Sequence, residues 1–516
     1  MRIFISLLVL GLAAGISVLA YFEVPAQRFF SPSFSSQPIE LAAWSEQLFC
    51  PGGITVPNDA SVSLESDFNP MPTPPLSETV ALATGGVESA LISNFEETDF
   101  LPLTGDPLKQ LRIDDGVPRI LNSTFQNNQT GTDALAISVS EVSQGDLRGL
   151  AGQTCALAAF DFWFWGGGTQ IGENLQLNIT NQTEANASIV VELYNLDSSN
   201  EALAIEHFNV PQHDTTKLLV SQIKLGLENV IVHLKSNDTP VTVLAQYNQL
   251  HELTSQGVEY LPSLNFATEH YFPLLTVSNE QHQTLKTWSN SPMNATLNLF
   301  NTSDPITPIT LEPNSQTPNG TIWDLNTLPT GNYWAKVNSD VQFIAQLQTN
   351  FVPSQTDNEQ SSPNSASKTK KQTNSETEST NTTANQSPLS LTTELVEFNF
   401  NATAHPMNYG TLILPSKLAA TTVLVNPNPE PMTVAVTQFG LQGEMLSLDS
   451  ITLPAGGIHF IPKTKDQNLG YIVVQSQDLE QQFMGGTTIH SENGITSYNF
   501  SRSELKSQTV QLKQVR

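Results

Sequence analysis

The sequence predicts an all-β protein in which an N-terminal transmembrane helix precedes tandem immunoglobulin-like antiparallel β-sandwich modules. Three observations lead to this prediction. A pattern of strand, asparagine turn and strand recurs along the chain. Short strand signals separated by Pro- and Gly-containing turns fill the remainder, with no sustained 3.6-residue periodicity. Finally, the chain begins with an apolar segment of about twenty residues, which is the length that spans a bilayer.

The apolar segment runs from Ile3 to Phe22 and follows Arg2. A basic residue before such a segment keeps the N-terminus in the cytoplasm and exports the rest of the chain. Two interpretations stay open: an uncleaved membrane anchor, or a signal peptide that is removed. Both place the remaining residues outside the cytoplasm. The expected partner of residues 3–22 is therefore the cytoplasmic membrane.

Composition excludes several classes of function. The 516 residues contain 21 Lys and Arg against 49 Asp and Glu, so the formal net charge is −28. Such a charge repels phosphate backbones, and we expect no nucleic-acid partner. Two cysteines cannot supply a four-thiolate zinc site or an iron–sulfur cluster. The nine histidines form no HExxH pair or other close metal spacing, so no metal and no cofactor are expected.

The two cysteines are Cys50 and Cys155. Export places them in an oxidising compartment, where a disulfide between them is expected. In the chain-entropy model, closing a loop of about 100 residues contributes about 4–5 kcal/mol. The alternative is a nucleophilic cysteine, which needs a histidine partner, and no histidine precedes His207.

Three arms of an internal repeat share a strand that ends in asparagine, a seven-residue spacer and a second strand. We expect the asparagine side chain to bond the backbone of its own turn and to tolerate unusual φ angles. A strand near the far end of each unit also matches. The turn positions are Asn181, Asn301 and Asn426, and the far strands are Val241–Gln246, Val341–Gln346 and Phe483–Gly486.

Composition breaks and this repeat together divide the chain into eight segments. The tract 353–393 is rich in Ser, Thr, Asn and Gln and has no aromatic residue, which is typical of a flexible linker that lets the last module move. The expected segments are 1–22 (anchor or signal), 23–40 (stalk), 41–160 (disulfide-tied, irregular and β-rich), 161–255 (module 1), 256–352 (module 2), 353–393 (linker), 394–502 (module 3) and 503–516 (flexible tail).

An aromatic run, Phe162-Trp163-Phe164-Trp165, precedes three glycines. On a strand, alternate residues point to opposite faces, so Trp163 and Trp165 share one face and the two phenylalanines share the other. Two interpretations follow. Either Trp163 and Trp165 form a sugar-stacking platform, or both faces are buried beneath the N-terminal segment that Cys155 ties on.

Three features together resemble an uncharacterised family of actinobacterial envelope proteins, membrane-anchored or secreted. They are Cys50-Pro51-Gly52, the stretch Trp165-Gly-Gly-Gly with the strand that follows, and Asn426-Pro427. In that family a Cys-Pro-Gly-Pro motif follows one N-terminal anchor, whereas this chain has Gly53 at the last position. The resemblance implies an exported, anchored β protein and implies no activity.

The sequence therefore leads us to expect a non-catalytic extracytoplasmic protein of the cell envelope that binds or spaces surface components. Its expected partners are cell-wall polysaccharide or other envelope proteins. One alternative is a polysaccharide-binding accessory of envelope biogenesis. Another is an extracytoplasmic hydrolase, which predicts a deep pocket containing two carboxylates whose pKa values differ.

Overall fold

A computed structural model describes residues 44–502 except 58–69, 74, 85–86, 95–99, 105–108, 126–132, 199–200, 253, 303, 352–396 and 402. The anchor at 1–22, the stalk, the linker at 353–393 and the tail at 503–516 lie outside these residues. In the part that is described, no helix is both long and apolar enough to cross a membrane. Residues Ala43–Lys506 form one compact unit.

The N-terminal module is a sandwich of two antiparallel sheets. One sheet has the strand order β4-β3-β6-β1-β9 and the other has the order β5-β2-β7-β8. Its strands are β1 (Trp44–Cys50), β2 (Leu76–Thr84), β3 (Val87–Asn94), β4 (Phe100–Pro102), β5 (Lys109–Ile113), β6 (Arg119–Phe125), β7 (Asp133–Val142), β8 (Gly149–Thr154) and β9 (Ala156–Leu157).

Module 1 repeats this pairing with sheets β13-β12-β15-β10 and β14-β11-β16-β17. A four-residue helix, α1 (Val220–Ile223), follows its fifth strand. Its strands are β10 (Asp161–Trp165), β11 (Glu173–Asn181), β12 (Ala187–Tyr194), β13 (Ala204–Val210), β14 (Asp214–Leu219), β15 (Ile231–Ser236), β16 (Thr242–His251) and β17 (Thr254–Leu261).

Module 2 has the same pairing, but its sixth and seventh strands are fused into one strand of 21 residues. That strand belongs to both sheets and joins them into one eight-stranded sheet. The elements are β18 (Ala267–Val277), β19 (Gln281–Trp288), β20 (Ala295–Asn301), β21 (Asp304–Thr310), β22 (Ser315–Gln316), β23 (Gly320–Asp324), a 3-10 turn (Leu325–Thr327), β24 (Gly331–Phe351) and β25 (Glu397–Asn401).

Module 3 again has two sheets, β29-β28-β31-β26-β34 and β30-β27-β32-β33. Its extra strand β34 pairs with β26 just as β9 pairs with β1 in the N-terminal module. The strands are β26 (Tyr409–Ile413), β27 (Ala419–Val425), β28 (Met432–Phe439), β29 (Met445–Leu453), β30 (Ile458–Lys463), β31 (Tyr471–Ser476), β32 (Met484–His490), β33 (Ile495–Asn499) and β34 (Ser501–Arg502).

The four modules are therefore four copies of one strand order. If the short extra strands β9, β22 and β34 are left out of the count, the second strand of each copy pairs with the fifth and seventh, the third pairs with the fourth and sixth, and the seventh pairs with the eighth. The all-β prediction is confirmed. The N-terminal region, expected to be irregular, is a further copy of the repeat. Its sequence conceals this because five of the twelve residues in its core cluster are alanines, which mark a buried strand face less clearly than larger apolar side chains.

The sequence analysis took the second arm of the repeat for a second strand, but it is a third strand. Leu297–Asn301 forms β20, a third strand, whereas the matching segments that end at Asn181 and Asn426 are second strands. The boundaries also shift. Strand β17 crosses the expected limit at 255 and completes module 1. Strand β25 pairs with β24 and so completes module 2, although the sequence assigned these residues to module 3.

Neighbouring modules pack through their cores in the order of the chain. A cluster that contains Trp165, Tyr194 and Trp288 joins module 1 to module 2. Trp334 of module 2 packs against Val423 and Val425 of module 3. The indole N–H of Trp334 also donates a 2.8 Å hydrogen bond to the Gly456 carbonyl.

The N-terminal module contacts both module 1 and module 3. Gln246 of module 1 accepts a hydrogen bond from the Thr55 N–H at 3.0 Å and donates to the Thr55 carbonyl at 2.8 Å. On the other side, Arg112 bonds Glu78 and also the Leu414 carbonyl of module 3. The first and last modules therefore meet, and the four sandwiches close a ring. This closure contradicts the expectation that module 3 moves freely.

Candidate functional site: the central cavity

The eighth strands of the four modules meet at the centre of the ring, and we call these four strands the hub. Strand β17 contacts β8 and β25, and β33 contacts the same two strands. The contacts Gly494 to Leu150 and Thr496 to Gly152 show that β33 and β8 run in the same direction. Each module thus sends the C-terminal end of its innermost strand to the same side of the ring.

A cavity of about 730 Å³ lies where the four hub strands end. Buried residues such as Phe164, Tyr260 and Ile413 form its walls, while Thr154 and Ser263 on its rim are exposed. All four modules contribute. The lining includes Glu46, Leu48, Gly152, Gln153, Thr154, Cys155, Ala156 and Leu157, then Phe162, Phe164, Tyr260, Leu261, Pro262 and Ser263, then Phe400 and Asn401, and finally His405, Thr411, Leu412, Ile413, Ser497, Tyr498, Asn499, Phe500 and Ser501.

The lining combines aliphatic, aromatic and neutral polar side chains, and the aliphatic ones form the largest group. Aromatic rings come from modules 1, 2 and 3, and amide or hydroxyl groups come from Gln153, Asn401 and Ser497. Among the described lining residues, Glu46 is the single carboxylate and His405 the single histidine. Among the described lining residues there is no pair of carboxylates of the kind that glycoside hydrolysis requires.

The disulfide between Cys50 and Cys155 forms as predicted. Both cysteines belong to the core of the N-terminal module, and Cys155 also lines the cavity. Cys50 ends β1 of one sheet, and Cys155 follows β8 of the other. The bridge therefore joins the two sheets of one module and fixes the end of a hub strand at the cavity wall.

Trp163 and Trp165 lie between module 1 and module 2, and the sugar-stacking interpretation stays a prediction. Trp165 is 1% exposed, and module 2 rather than the N-terminal segment covers it. Trp163 stacks on the His233 imidazole with ring centroids 3.6 Å apart and meets Phe266 edge-on. The opposite face of the strand carries Phe162 and Phe164, which pack in the module core and reach the cavity.

Asn181 and Asn426 fulfil equivalent structural roles. The Asn181 side-chain nitrogen lies 2.7 Å from the Ala185 carbonyl, and its oxygen accepts the Thr183 N–H at 3.0 Å. Asn426 bonds the Glu430 carbonyl at 2.8 Å and the Asn428 N–H at 2.9 Å. Both side chains also bond carbonyls at the end of the fourth strand. None of the predicted turn asparagines has a positive φ, so hydrogen bonding alone explains them.

Asn301 does not occupy the position of Asn181 and Asn426, because it ends the third strand of its module rather than the second. In module 2 the equivalent residue is Ser289, which follows β19 and is fully buried. Its hydroxyl accepts the Ser291 N–H at 3.2 Å, and its N–H donates to the Asn319 carbonyl at 2.8 Å. The Asn319 side chain bonds the Ser289 carbonyl. Ser289 and Asn319 together thus make hydrogen bonds of the kind that one asparagine makes in modules 1 and 3.

A charged cluster on the outer face of module 1 was missed by the sequence reasoning. His233 lies between two carboxylates, with Nδ1 2.9 Å from Glu192 and Nε2 3.1 Å from Asp161. The hydrogen bond to His233 lowers the pKa of Asp161 despite partial burial. Burial and the Glu192 charge raise the pKa of Tyr194 to about 12. These residues lie on the same face of three paired strands. The sequence alone does not show which strands pair, so it could not reveal the cluster.

Two acidic residues inside the hub were also missed. Burial raises the pKa of Glu259 and of Glu397 well above the usual range for a glutamic acid. Neither residue lines the cavity. Among the described residues, no group of three or more His, Cys, Asp or Glu could hold a metal ion.

The family of unknown function DUF5719 matches residues 118–404, which is more than half of the chain. The chain belongs to this family. The match begins at the sixth strand of the N-terminal module and includes modules 1 and 2. No curated protein matches the chain.

Among solved structures, the chain has a weak similarity to the crystal structure of Streptomyces avermitilis alpha-L-rhamnosidase complexed with L-rhamnose. The sequence identity is 8%, and the TM-score is 0.13. The similarity covers 82% of this chain and 55% of that one, so the chain spans about half the length of that structure. A TM-score this low does not indicate a shared fold.

Proposed function

We propose that the protein is a non-catalytic binding protein of the cell envelope that holds an uncharged saccharide in its central cavity. The observation that carries this proposal is the convergence of all four modules on one cavity whose apolar lining also carries aromatic rings and neutral polar groups. Ligand sites characteristically combine apolar walls with a few polar groups that fix orientation. Aromatic faces suit the apolar faces of sugar rings, and amides and hydroxyls suit sugar hydroxyls.

Two further observations support binding over the other functions considered. A single carboxylate among the described lining residues does not match the two carboxylates of glycoside hydrolysis. A closed ring also suits a ligand-holding protein better than an extended spacer, because closure shortens the distance between the first and last modules. The aromatic side chains of this proposal are Phe162, Phe164 and Tyr260, which line the cavity, whereas Trp165 is not among the lining residues.

The cellular location is part of the same proposal. The Cys50–Cys155 disulfide supports an oxidising compartment outside the cytoplasm. The apolar residues 3–22 would anchor the protein to the cytoplasmic membrane or serve as its signal peptide. With the resemblance in sequence motifs, these features support a place in an actinobacterial envelope. Sandwiches of immunoglobulin-like type would then be the modules that surround the ligand.

Saturation-transfer NMR on the full-length chain tests the proposal. The probes are purified neutral mono- and disaccharides, compared with uronic acids and amino sugars of the same size. We expect signal transfer from at least one neutral sugar and none from the charged ones. Ala156→Trp, which fills the cavity from its rim, should abolish that signal, while Ala185→Trp on an exposed turn should preserve it.

Two results would overturn the proposal. One is a folded wild-type chain that binds none of the neutral sugars. The other is a folded Ala156→Trp chain that binds them as the wild type does. Circular dichroism and the unfolding midpoint establish that each variant is folded.

A further inference from the structure

The four hub strands contain only two charged side chains. These are Glu259 on β17 of module 1 and Glu397 on β25 of module 2. Strands β8 and β33 have none. Glu259 is 1% exposed and Glu397 is 4% exposed, so both carboxyl groups are buried where the four modules meet.

Glu259 connects three modules. Its Oε1 accepts the Tyr260 N–H at 2.9 Å and lies 3.0 Å from the Thr496 hydroxyl of module 3. The Thr496 hydroxyl also lies 3.3 Å from the Gly152 carbonyl of the N-terminal module. One hydroxyl has one proton to donate. A protonated Glu259 that donates to Thr496, which then donates to Gly152, satisfies all three groups.

Glu397 occupies space that two glycines leave open. A Cβ atom added to Gly257 of module 1 would lie 2.3 Å from Glu397 Oε1, and one added to Gly494 of module 3 would lie 2.9 Å from Oε2. Gly257 also has a φ of +119°, which other residues rarely adopt. The backbones of modules 1 and 3 are therefore shaped around this carboxyl group.

Three carboxyl oxygens in the hub accept no well-aligned hydrogen bond from the described residues: Glu259 Oε2 and both oxygens of Glu397. Burial is the largest influence on each carboxyl, and the charge of Glu259 further raises the pKa of Glu397. Arg148, which precedes β8, opposes that effect. Nearby, Glu141 accepts a 2.7 Å hydrogen bond from the Asn493 side chain, and burial and the charge of Glu259 raise the pKa of Tyr260.

We propose that the closed ring is stabilised by the protonated forms of Glu259 and Glu397, so that its stability falls as pH rises. An ionised carboxylate is strongly unfavourable where it is buried with too few donors for its oxygens, and here two such groups would lie in one hub. Protonation of each carboxylate removes its charge and gives it an O–H group that can donate a hydrogen bond. Glu259 and Glu397 therefore both stabilise the closed ring and make its stability depend on pH.

The direction of the pH dependence follows from the raised pKa values. The folded chain holds these protons more tightly than the unfolded chain, in which glutamic acid titrates near its usual pKa of about 4.3. Stabilisation is therefore complete below that pKa and is lost as pH rises towards the folded pKa values. Within this window, each carboxyl raises the unfolding equilibrium constant about tenfold per pH unit, and the two together about 100-fold.

Urea unfolding of the full-length chain at a series of pH values tests this proposal. Glutamine resembles a protonated glutamic acid in shape and cannot ionise. We expect Glu259→Gln/Glu397→Gln to match the wild type at about pH 4 and below and to become increasingly more stable than it as pH rises. Glu206→Gln on the exposed strand β13 is the matched control and should follow the wild type throughout. Groups common to all variants cancel in the differences.

A double variant that keeps the pH dependence of the wild type would overturn the proposal. A cation in the hub is the competing explanation. In that case Ca²⁺ at pH 8 would stabilise the wild type and leave the double variant unchanged, and this result would also overturn it. If the double variant does not fold, infrared spectroscopy decides. The wild type at neutral pH must show the carbonyl band of a protonated carboxyl that weakens in each single variant, and its absence would refute the protonated state.

Discussion

The N-terminal module and module 1 have the same strand order but different cores. In the N-terminal module the sheets meet through Ala81, Ala83, Ala134 and Ala136 and through a disulfide. In module 1 they meet through a larger set of branched side chains and no cysteine. That set includes Leu175, Leu177, Ile179, Ile189, Val191 and Leu193, all of which are buried.

The difference shows where each module obtains its stability. Alanine side chains remove little apolar area from water, so a core rich in alanine stabilises a sandwich only weakly. The larger residues of the N-terminal module, such as Val80, Leu82 and Ile137, instead join the cluster of module 3. The N-terminal module therefore depends on its covalent bridge and on the ring, whereas module 1 has a core of its own.

Removal of the disulfide should have the largest effect. The double variant Cys50→Ala/Cys155→Ala should lower the free energy of unfolding of the N-terminal module by about 4–5 kcal/mol, because its unfolded chain is no longer closed into a loop of about 100 residues. Hydrogen exchange followed by mass spectrometry locates the change. Equal loss of protection in module 1 would show that the two modules do not differ in this respect.

Truncation of core side chains should destabilise module 1 more than the N-terminal module. Leu177→Ala in module 1 should cost about 3 kcal/mol, because a fully buried leucine leaves a cavity. Ala81→Gly in the N-terminal module should cost about 1 kcal/mol, since only one methyl group and some backbone order are lost. Urea denaturation of each variant measures both. Equal costs would contradict the contrast between the two cores.

The asparagine turns should give smaller effects than loss of the disulfide or truncation of Leu177. Asn181→Ala and Asn426→Ala should each cost about 2 kcal/mol, because each leaves buried backbone groups without partners. Asn301→Ala, outside the equivalent position, should cost less than about 1 kcal/mol. Thermal unfolding ranks the three variants. A cost for Asn301→Ala as large as the other two would remove the structural equivalence described for Asn181 and Asn426.

Several features of this fold could be predicted from the sequence. The pairing of Cys50 with Cys155 followed from export and from the count of two. The far strands expected at Val241–Gln246 and Phe483–Gly486 followed from the repeat and overlap with β16 and β32. Asn181 and Asn426 were detectable because the same residue performs the same task. Their equivalent in module 2 was not, because Ser289 and Asn319 divide that task.

The candidate site could not be predicted, for a physical reason. The cavity is formed by the ends of four strands that are far apart in the chain, and their short segments have no shared motif. Glu259 and Glu397 are ordinary acidic residues in sequence, and only ring closure buries them together. Trp165 is conspicuous in the sequence because it is aromatic, but in the structure it belongs to the interface between modules 1 and 2.

Ring closure is the central claim, and zero-length carbodiimide cross-linking tests it most directly. Lys417 of module 3 lies 2.9 Å from Asp114 of the N-terminal module, 303 residues away in sequence. Lys336 and Glu269, 2.7 Å apart within module 2, provide the internal control. Mass spectrometry of the cross-linked full-length chain should identify both amide bonds within single molecules. Recovery of the Lys336–Glu269 bond without the Lys417–Asp114 bond would contradict the closed ring.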